Sequence, residues 1–188
     1  MVINVRFRAF IAVEVAPTER LLSLLNDLGK IGPGLKPVEK ENVHVTLKFL
    51  GDIEERLVTD VERCMRDSVA GVAPFTIFLK GTGYFPPKGP AKTLWVGIEG
   101  AEPMVHIANR LEKDLKDLGF EPEERPFKPH LTVGRVKDNK AAFASEMAVH
   151  RYKDEVFGPQ VVSSIKLKRS ILGRFGPTYS DIIEVQLH

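Results

Sequence analysis

At 188 residues, 43% hydrophobic and 28% charged, the chain has globular composition and enough apolar mass for a core, expected as one bilobal domain over 1–188. The net charge of +2 and pI near 8.6 fall short of an electrostatic nucleic-acid binder but leave room for an anionic substrate. One cysteine, Cys64, excludes an internal disulfide, and no apolar run is long enough to span a membrane. The opening "MVINVRFRAFIAVEV", broken by Arg6, Arg8 and Glu14, is not a secretory signal, so the expected location is cytoplasmic.

Taken in chain order, Val5, Phe7, Ala9, Ile11, Val13 and Val15 alternate with Arg6, Arg8 and Glu14, which predicts a strand with one buried face. "APTERLLSLLNDLGK" predicts a helix capped by Thr18, with Leu21, Leu24, Leu25 and Leu28 as its stripe and Gly29 as its stop. "KIGPGLKPVEKE" reads as a loop and residues 43–50 as a strand. "DIEERLVTDVERCMRDSVAG" predicts a second helix, with Leu57, Val58, Val61, Cys64, Met65 and Val69 inward. The strands "FTIFLKG" and "TLWVGIEG" flank the turn-rich "YFPPKGPAK". A third helix, "AEPMVHIANRLEKDLKDLGF", aligns Met104, Ile107, Ala108, Leu111, Leu115 and Leu118. A strand at 130–136, a short helix at 139–150 and the closing strands "QVVSSIKLKRSIL" and "TYSDIIEVQLH" complete the chain. Short turns between strand pairs argue against a purely parallel sheet. The expected class is α+β: two pseudo-symmetric lobes, each a mainly antiparallel sheet backed by helices, around a central cleft.

Two strands share a pattern, "NVHVTLKFLG" and "KPHLTVGRVK". Alternation projects His44 and Thr46 together, with Lys48, while Val43, Val45, Leu47 and Phe49 face a core. His130 and Thr132 likewise project together, opposite Leu131 and Val133. A lone His-x-Thr strand is more often a structural histidine bonded to a hydroxyl. If the lobes face each other about a pseudo-two-fold axis, two copies, one per lobe, bring two imidazoles and two hydroxyls to one cleft. Histidine titrates near neutrality, so one ring can act as base while the other acts as acid. In-line displacement at phosphorus needs both, on opposite sides, with hydroxyls to take up developing charge.

Competing chemistries fit less well. Zinc sites use three or four His, Cys or carboxylate ligands, and here the strand partners are threonines, so no metal and no cofactor is expected. No G-x-S-x-G occurs, and Cys64 falls on an apolar helix stripe.

"HVTLKFLG" and "PHLTVGR" resemble the paired signatures of the two-histidine phosphoesterases, and within them the 2′,5′ RNA ligase / RNA 2′,3′-cyclic phosphodiesterase family. The resemblance extends to "RFRAFIAVEV", "GYFPPKGPAKTLWVGI" and "SILGRFGPTYSDI". It implies two α+β lobes and metal-independent hydrolysis of a 2′,3′-cyclic phosphate on RNA to a 2′-phosphate. ATP-independent 2′,5′ joining is the alternative enzyme reading, and a nucleotide- or RNA-binding module with little turnover is the third. The implied partners are RNA ends, tRNA halves among them, or nucleotides with a cyclic phosphate, met by a monomer. Carried over, His44 and His130 are the acid/base pair; the sequence leaves open which is base and which acid, and the working assignment has His130 activating water and His44 protonating the 3′ oxygen. Thr46 and Thr132 hold the phosphate, and Arg135, Lys48 and Arg8 are the further substrate-binding candidates. Alternation puts Arg135 opposite His130 unless a bulge at Gly134 turns it inward.

His106, His150 and His188 read as exposed and non-catalytic. Phe85, in its loop, is a candidate for stacking a base, Trp95 reads as core, and Tyr179 has a weaker claim on the cleft. Lys166, Lys168, Arg169 and Arg174 form either a solvated strand face or an RNA-backbone contact.

Overall fold

The computed structural model describes residues 5–173 and 176–188. The opening alternation forms strand β1 (Arg6–Glu14), with Phe7, Ala9, Ile11 and Val13 against the core. Helix α1 (Glu19–Gly29) starts where Thr18 Oγ1 accepts the Leu21 N–H at 3.3 Å, satisfying a donor the first turn cannot pair. Its leucines 21, 24, 25 and 28 are buried, each worth about 1.5–3 kcal/mol. Then follow β2 (Leu35–Pro37), β3 (His44–Glu54), α2 (Val58–Val69), β4 (Phe75–Phe85) and β5 (Thr93–Glu99). The chain closes with α3 (Glu102–Asp117), β6 (His130–Val136), α4 (Asn139–Arg151), β7 (Val156–Val162), β8 (Ser164–Gly173) and β9 (Gly176–Gln186).

All pairings are antiparallel, in two sheets ordered β3-β1-β8-β9 and β2-β6-β5-β4-β7. Apart from the short edge strand β2, the orders match strand for strand: β3 with β6, β1 with β5, β8 with β4, β9 with β7. Helices α2 and α3 back the first sheet, and α1 and α4 the second. The cores sit beneath these helices, and β3 and β6 approach with Cα atoms within 8 Å. This is the expected class of two antiparallel, helix-backed lobes.

Several boundaries differ from the sequence reading. The lobes are not consecutive halves: the first sheet takes both ends of the chain, the second takes the middle. The stretch "QVVSSIKLKRSIL" is two strands, broken at Ser163, where the chain leaves the second sheet for the first. No Gly or Pro marks that crossing. The predicted loop at 30–41 contains β2, which buries Leu35 and ends at Pro37, a residue with no N–H to extend a ladder. Helix α2 begins at Val58, because residues 52–54 complete β3 and a 3₁₀ turn takes 55–57.

Candidate active site

Strands β3 and β6 hold their histidines in the same way. His44 Nδ1 lies 2.6 Å from the carbonyl oxygen of Asn42, and His130 Nδ1 lies 2.7 Å from that of Lys128. A carbonyl only accepts, so each Nδ1 carries the proton and each Nε2 is left for other partners. His44 Nε2 meets the Thr46 hydroxyl at 3.1 Å, which fits a hydroxyl donating to the neutral ring. Asn42 is itself anchored, its side-chain amide donating to the Pro177 carbonyl at 3.2 Å. The β1–β3 register sets Glu14 opposite His44 and Ala12 opposite Thr46, on the face that also carries Arg8 and Phe10. In the second sheet Gly97 faces His130 and Trp95 faces Thr132.

Both strands then bulge at the same place. Between Thr46 and Lys48 the pairing with β1 slips by one residue, and between Thr132 and Gly134 the pairing with β5 does the same. An extra residue reverses the alternation beyond it. Arg135 therefore shares the face of His130 and Thr132 and is exposed, the outcome the sequence reading made conditional on a bulge. In β3 the same slip overturns an expectation. Lys48 does not stand beside His44 and Thr46; it is 3% exposed and points to α3. There Nζ lies 2.9 Å from Glu112 Oε2 and donates to the Glu121 carbonyl at 2.8 Å. Phe49, expected in the core, takes the cleft position instead and is 55% exposed.

Aromatic rings pack around each imidazole. Phe10 lies 4.9 Å from His44 between ring centres and meets Tyr179 edge-on at 4.9 Å. Tyr179 also stands edge-on to His44 at 5.3 Å. Phe85 stands edge-on to His130 at 5.4 Å and 5.6 Å from Trp95. The Lys128 ammonium lies over both of those rings. Trp95 is half-buried on the cleft side rather than in the core. It lies so close to Gly83 that a Cβ there would come within 2.3 Å of the indole, which fixes that position as glycine.

Charge links the lobes. Burial lowers the His44 pKa, and the nearby cations Lys168 and Arg135 lower it further, the second reaching across from β6, while the Asn42 carbonyl and Glu14 oppose them. Burial raises the Tyr179 phenol, while Arg135 and Arg8 pull it back. Arg8 shares the Phe10 face of β1 and lies near enough to Tyr179 for its charge to be felt there. Behind His44, Glu14, Lys166, Lys168 and Asp181 close a four-membered ring of ion pairs. Lys166 reaches Glu14 at 2.6 Å and Asp181 at 2.8 Å; Lys168 reaches Glu14 at 2.5 Å and also pairs with Asp181. The hydrogen bonds Lys166 donates to Asp181 and then to Glu14 raise its pKa. Against the upward push of burial, the two lysines hold both carboxyls below their usual range.

Of the proposed basic strip, Lys166 and Lys168 are therefore engaged by carboxylates. Arg169 lies on the other face, 5.2 Å over the Phe7 ring, and Arg174 lies outside the described residues. His106, His150 and His188 are exposed. Cys64 is buried on α2, and burial raises its thiol pKa. Sequence reasoning missed Phe10, Phe49 and the ion-pair ring. Superposing the two motifs residue by residue was the available signal, since it sets Phe49 against Arg135.

The sequence matches the 2'-5' RNA ligase superfamily over residues 17–162. It is 38% identical over 177 residues to an RNA 2',3'-cyclic phosphodiesterase of Archaeoglobus fulgidus, covering 93% of this chain and 97% of that protein. A protein of the same name from Methanothermobacter thermautotrophicus is 34% identical over 179 residues, covering 94% and 97%. Among solved structures, TT0787 of Thermus thermophilus superposes with a TM-score of 0.79 at 29% identity, over 96% of this chain and 97% of that one. E. coli LigT complexed with 3'-AMP shares the fold, with a TM-score of 0.73 at 20% identity over 97% and 99%.

Proposed function

The chain belongs to the 2'-5' RNA ligase superfamily, and from that membership and its two-histidine cleft we propose that it is an RNA 2′,3′-cyclic phosphodiesterase. The observation that carries this is the matched pair of imidazoles. Each has its Nδ1 proton tied to a carbonyl two residues back, and Nε2 remains for chemistry. His130 Nε2 takes a proton from water as the water oxygen bonds to phosphorus. The P–O3′ bond breaks, and His44 Nε2 delivers a proton to O3′, leaving a 2′-phosphate. Thr46 and Thr132 donate to the non-bridging oxygens, and Arg135 and Arg8 offset their charge. No step draws on a metal.

His44 has a lowered proton affinity in the free cleft, which disfavours an acid. An anionic phosphate against Nε2 restores it, because an opposite charge at contact favours the protonated ring. His44 therefore loads its proton as the substrate arrives. The test is a short RNA ending in a 2′,3′-cyclic phosphate, incubated with chelator. A 2′-phosphate product is expected; a joined 2′,5′ product places ligation first, and tight binding without turnover overturns both.

A further inference from the structure

We propose that Asn42 is a positioning residue for His44: its side chain, held by β9, pins the carbonyl that keeps the imidazole in the tautomer with Nε2 open to the reacting phosphate. This rests on the phosphodiesterase reading and adds to it the group that orients one of the two rings.

The two ring nitrogens of His44 have unlike partners. Nε2 faces the Thr46 hydroxyl at 3.1 Å, and a hydroxyl donates or accepts, so it suits either tautomer. Nδ1 faces the Asn42 carbonyl at 2.6 Å, which only accepts. The choice of tautomer therefore falls to that carbonyl. With the proton held on Nδ1, Nε2 is the nitrogen that gains and loses a proton. In the other tautomer Nε2 carries the N–H, and Nδ1 turns a lone pair toward the carbonyl oxygen.

That carbonyl sits at a weak place in the backbone. Asn42 ends a single 3₁₀ turn, Lys40–Asn42, closed by its own N–H on the Glu39 carbonyl at 2.8 Å. Among the described residues no side chain caps the turn, and Glu39, Lys40 and Glu41 are exposed. The long-range hold is the side-chain amide, which donates to the Pro177 carbonyl at 3.2 Å, 135 residues away in the chain. A carbonyl cannot donate, so only a donor serves at position 42. Pro177 lies in β9 two residues before Tyr179, whose ring stands edge-on to His44. One bond thus ties the carbonyl behind the ring to the strand that packs against it.

The second lobe reaches the same end differently. Its carbonyl belongs to Lys128, and the residue between it and His130 is Pro129, where the first lobe has Val43. A proline fixes its own φ and restricts the residue before it to extended backbone, so that carbonyl is held covalently. The Lys128 ammonium over Phe85 and Trp95 adds a second hold. Val43 imposes no such limit, and Asn42 supplies the restraint through its side chain.

The test is the nitrogen-15 spectrum of both imidazoles, with turnover of adenosine 2′,3′-cyclic phosphate measured beside it. In the unaltered protein both neutral rings should carry the proton on Nδ1. Asn42→Ala should give His44 a mixture of tautomers and leave His130 unchanged. It should lower kcat about tenfold and change KM less than about twofold, the low end of what loosening an imidazole's orienting partner costs. Asn42→Leu, which keeps the volume without a donor, should match it. A merely structural role would lower stability without singling out the His44 tautomer or kcat. An unchanged His44 tautomer, a parental kcat, equal changes in both histidines, or a loss confined to KM overturns the assignment. If the unaltered protein hydrolyses no cyclic phosphate yet His44 alone changes tautomer in the variants, the positioning role stands and the phosphodiesterase reading falls.

Discussion

Strands β3 and β6 repeat one backbone device and fill it differently. Each carries a histidine bonded to the carbonyl two residues back, a threonine on the same face, and a bulge that turns the next cleft residue inward. At the bulge, β3 has Lys48, which turns into the lobe and is neutralised by Glu112, whereas β6 has Gly134, packed between Leu35 and Leu94. Past it stand Phe49 and Arg135. On the proposed mechanism, the shared part supplies what phosphoryl transfer needs twice, a proton carrier on each side of phosphorus. The divergent part leaves an aromatic ring on one strand and a cation on the other.

Removing the shared part should cost most. His44→Ala and His130→Ala should each lower kcat on an RNA 2′,3′-cyclic phosphate by about 10²–10⁴-fold, the usual worth of a positioned acid or base. Near-parental turnover in either variant ends the paired mechanism. The pH profile assigns the roles. If His44 is the acid, kcat/KM falls as pH rises through its free-state pKa, which lies below the ordinary value of 6.5. The corresponding limb of kcat should lie higher, because bound phosphate raises that pKa.

The divergent part comes next. Arg135→Gln should lower kcat/KM by about 10²-fold, comparable to losing one preorganised donor to a developing charge. Lys48→Met should leave turnover per folded molecule intact and destabilise the fold by about 2 kcal/mol, because the Glu112 carboxylate keeps the Glu123 N–H but loses its cation, and the Glu121 carbonyl loses its donor. Urea unfolding reads the second effect, and a catalytic defect without a stability loss would return Lys48 to the cleft.

Much of the fold follows from one-dimensional pattern. Thr18 caps α1 and the leucine stripe buries, because a helix start and a 3.6-residue period are local properties. The His-x-Thr pairs likewise need only a period of two to place their polar groups side by side. What escaped depends on partners distant in sequence. The slip at Leu47 exists because β1 pairs on either side of it, and no glycine announces it, whereas Gly134 hinted at its counterpart. The crossing at Ser163 separates two apolar alternations that read as one strand. Glu14, Lys166, Lys168 and Asp181 come from three strands and meet only once the sheet forms.

The central claim is that imidazoles from two sheets serve one phosphate, and imidazole NMR during titration with adenosine 2′-phosphate tests it most directly. The account predicts that the ring signals of His44 and His130 both move, along a single binding curve and toward the protonated form. A response from only one ring, or two responses with different affinities, would contradict it.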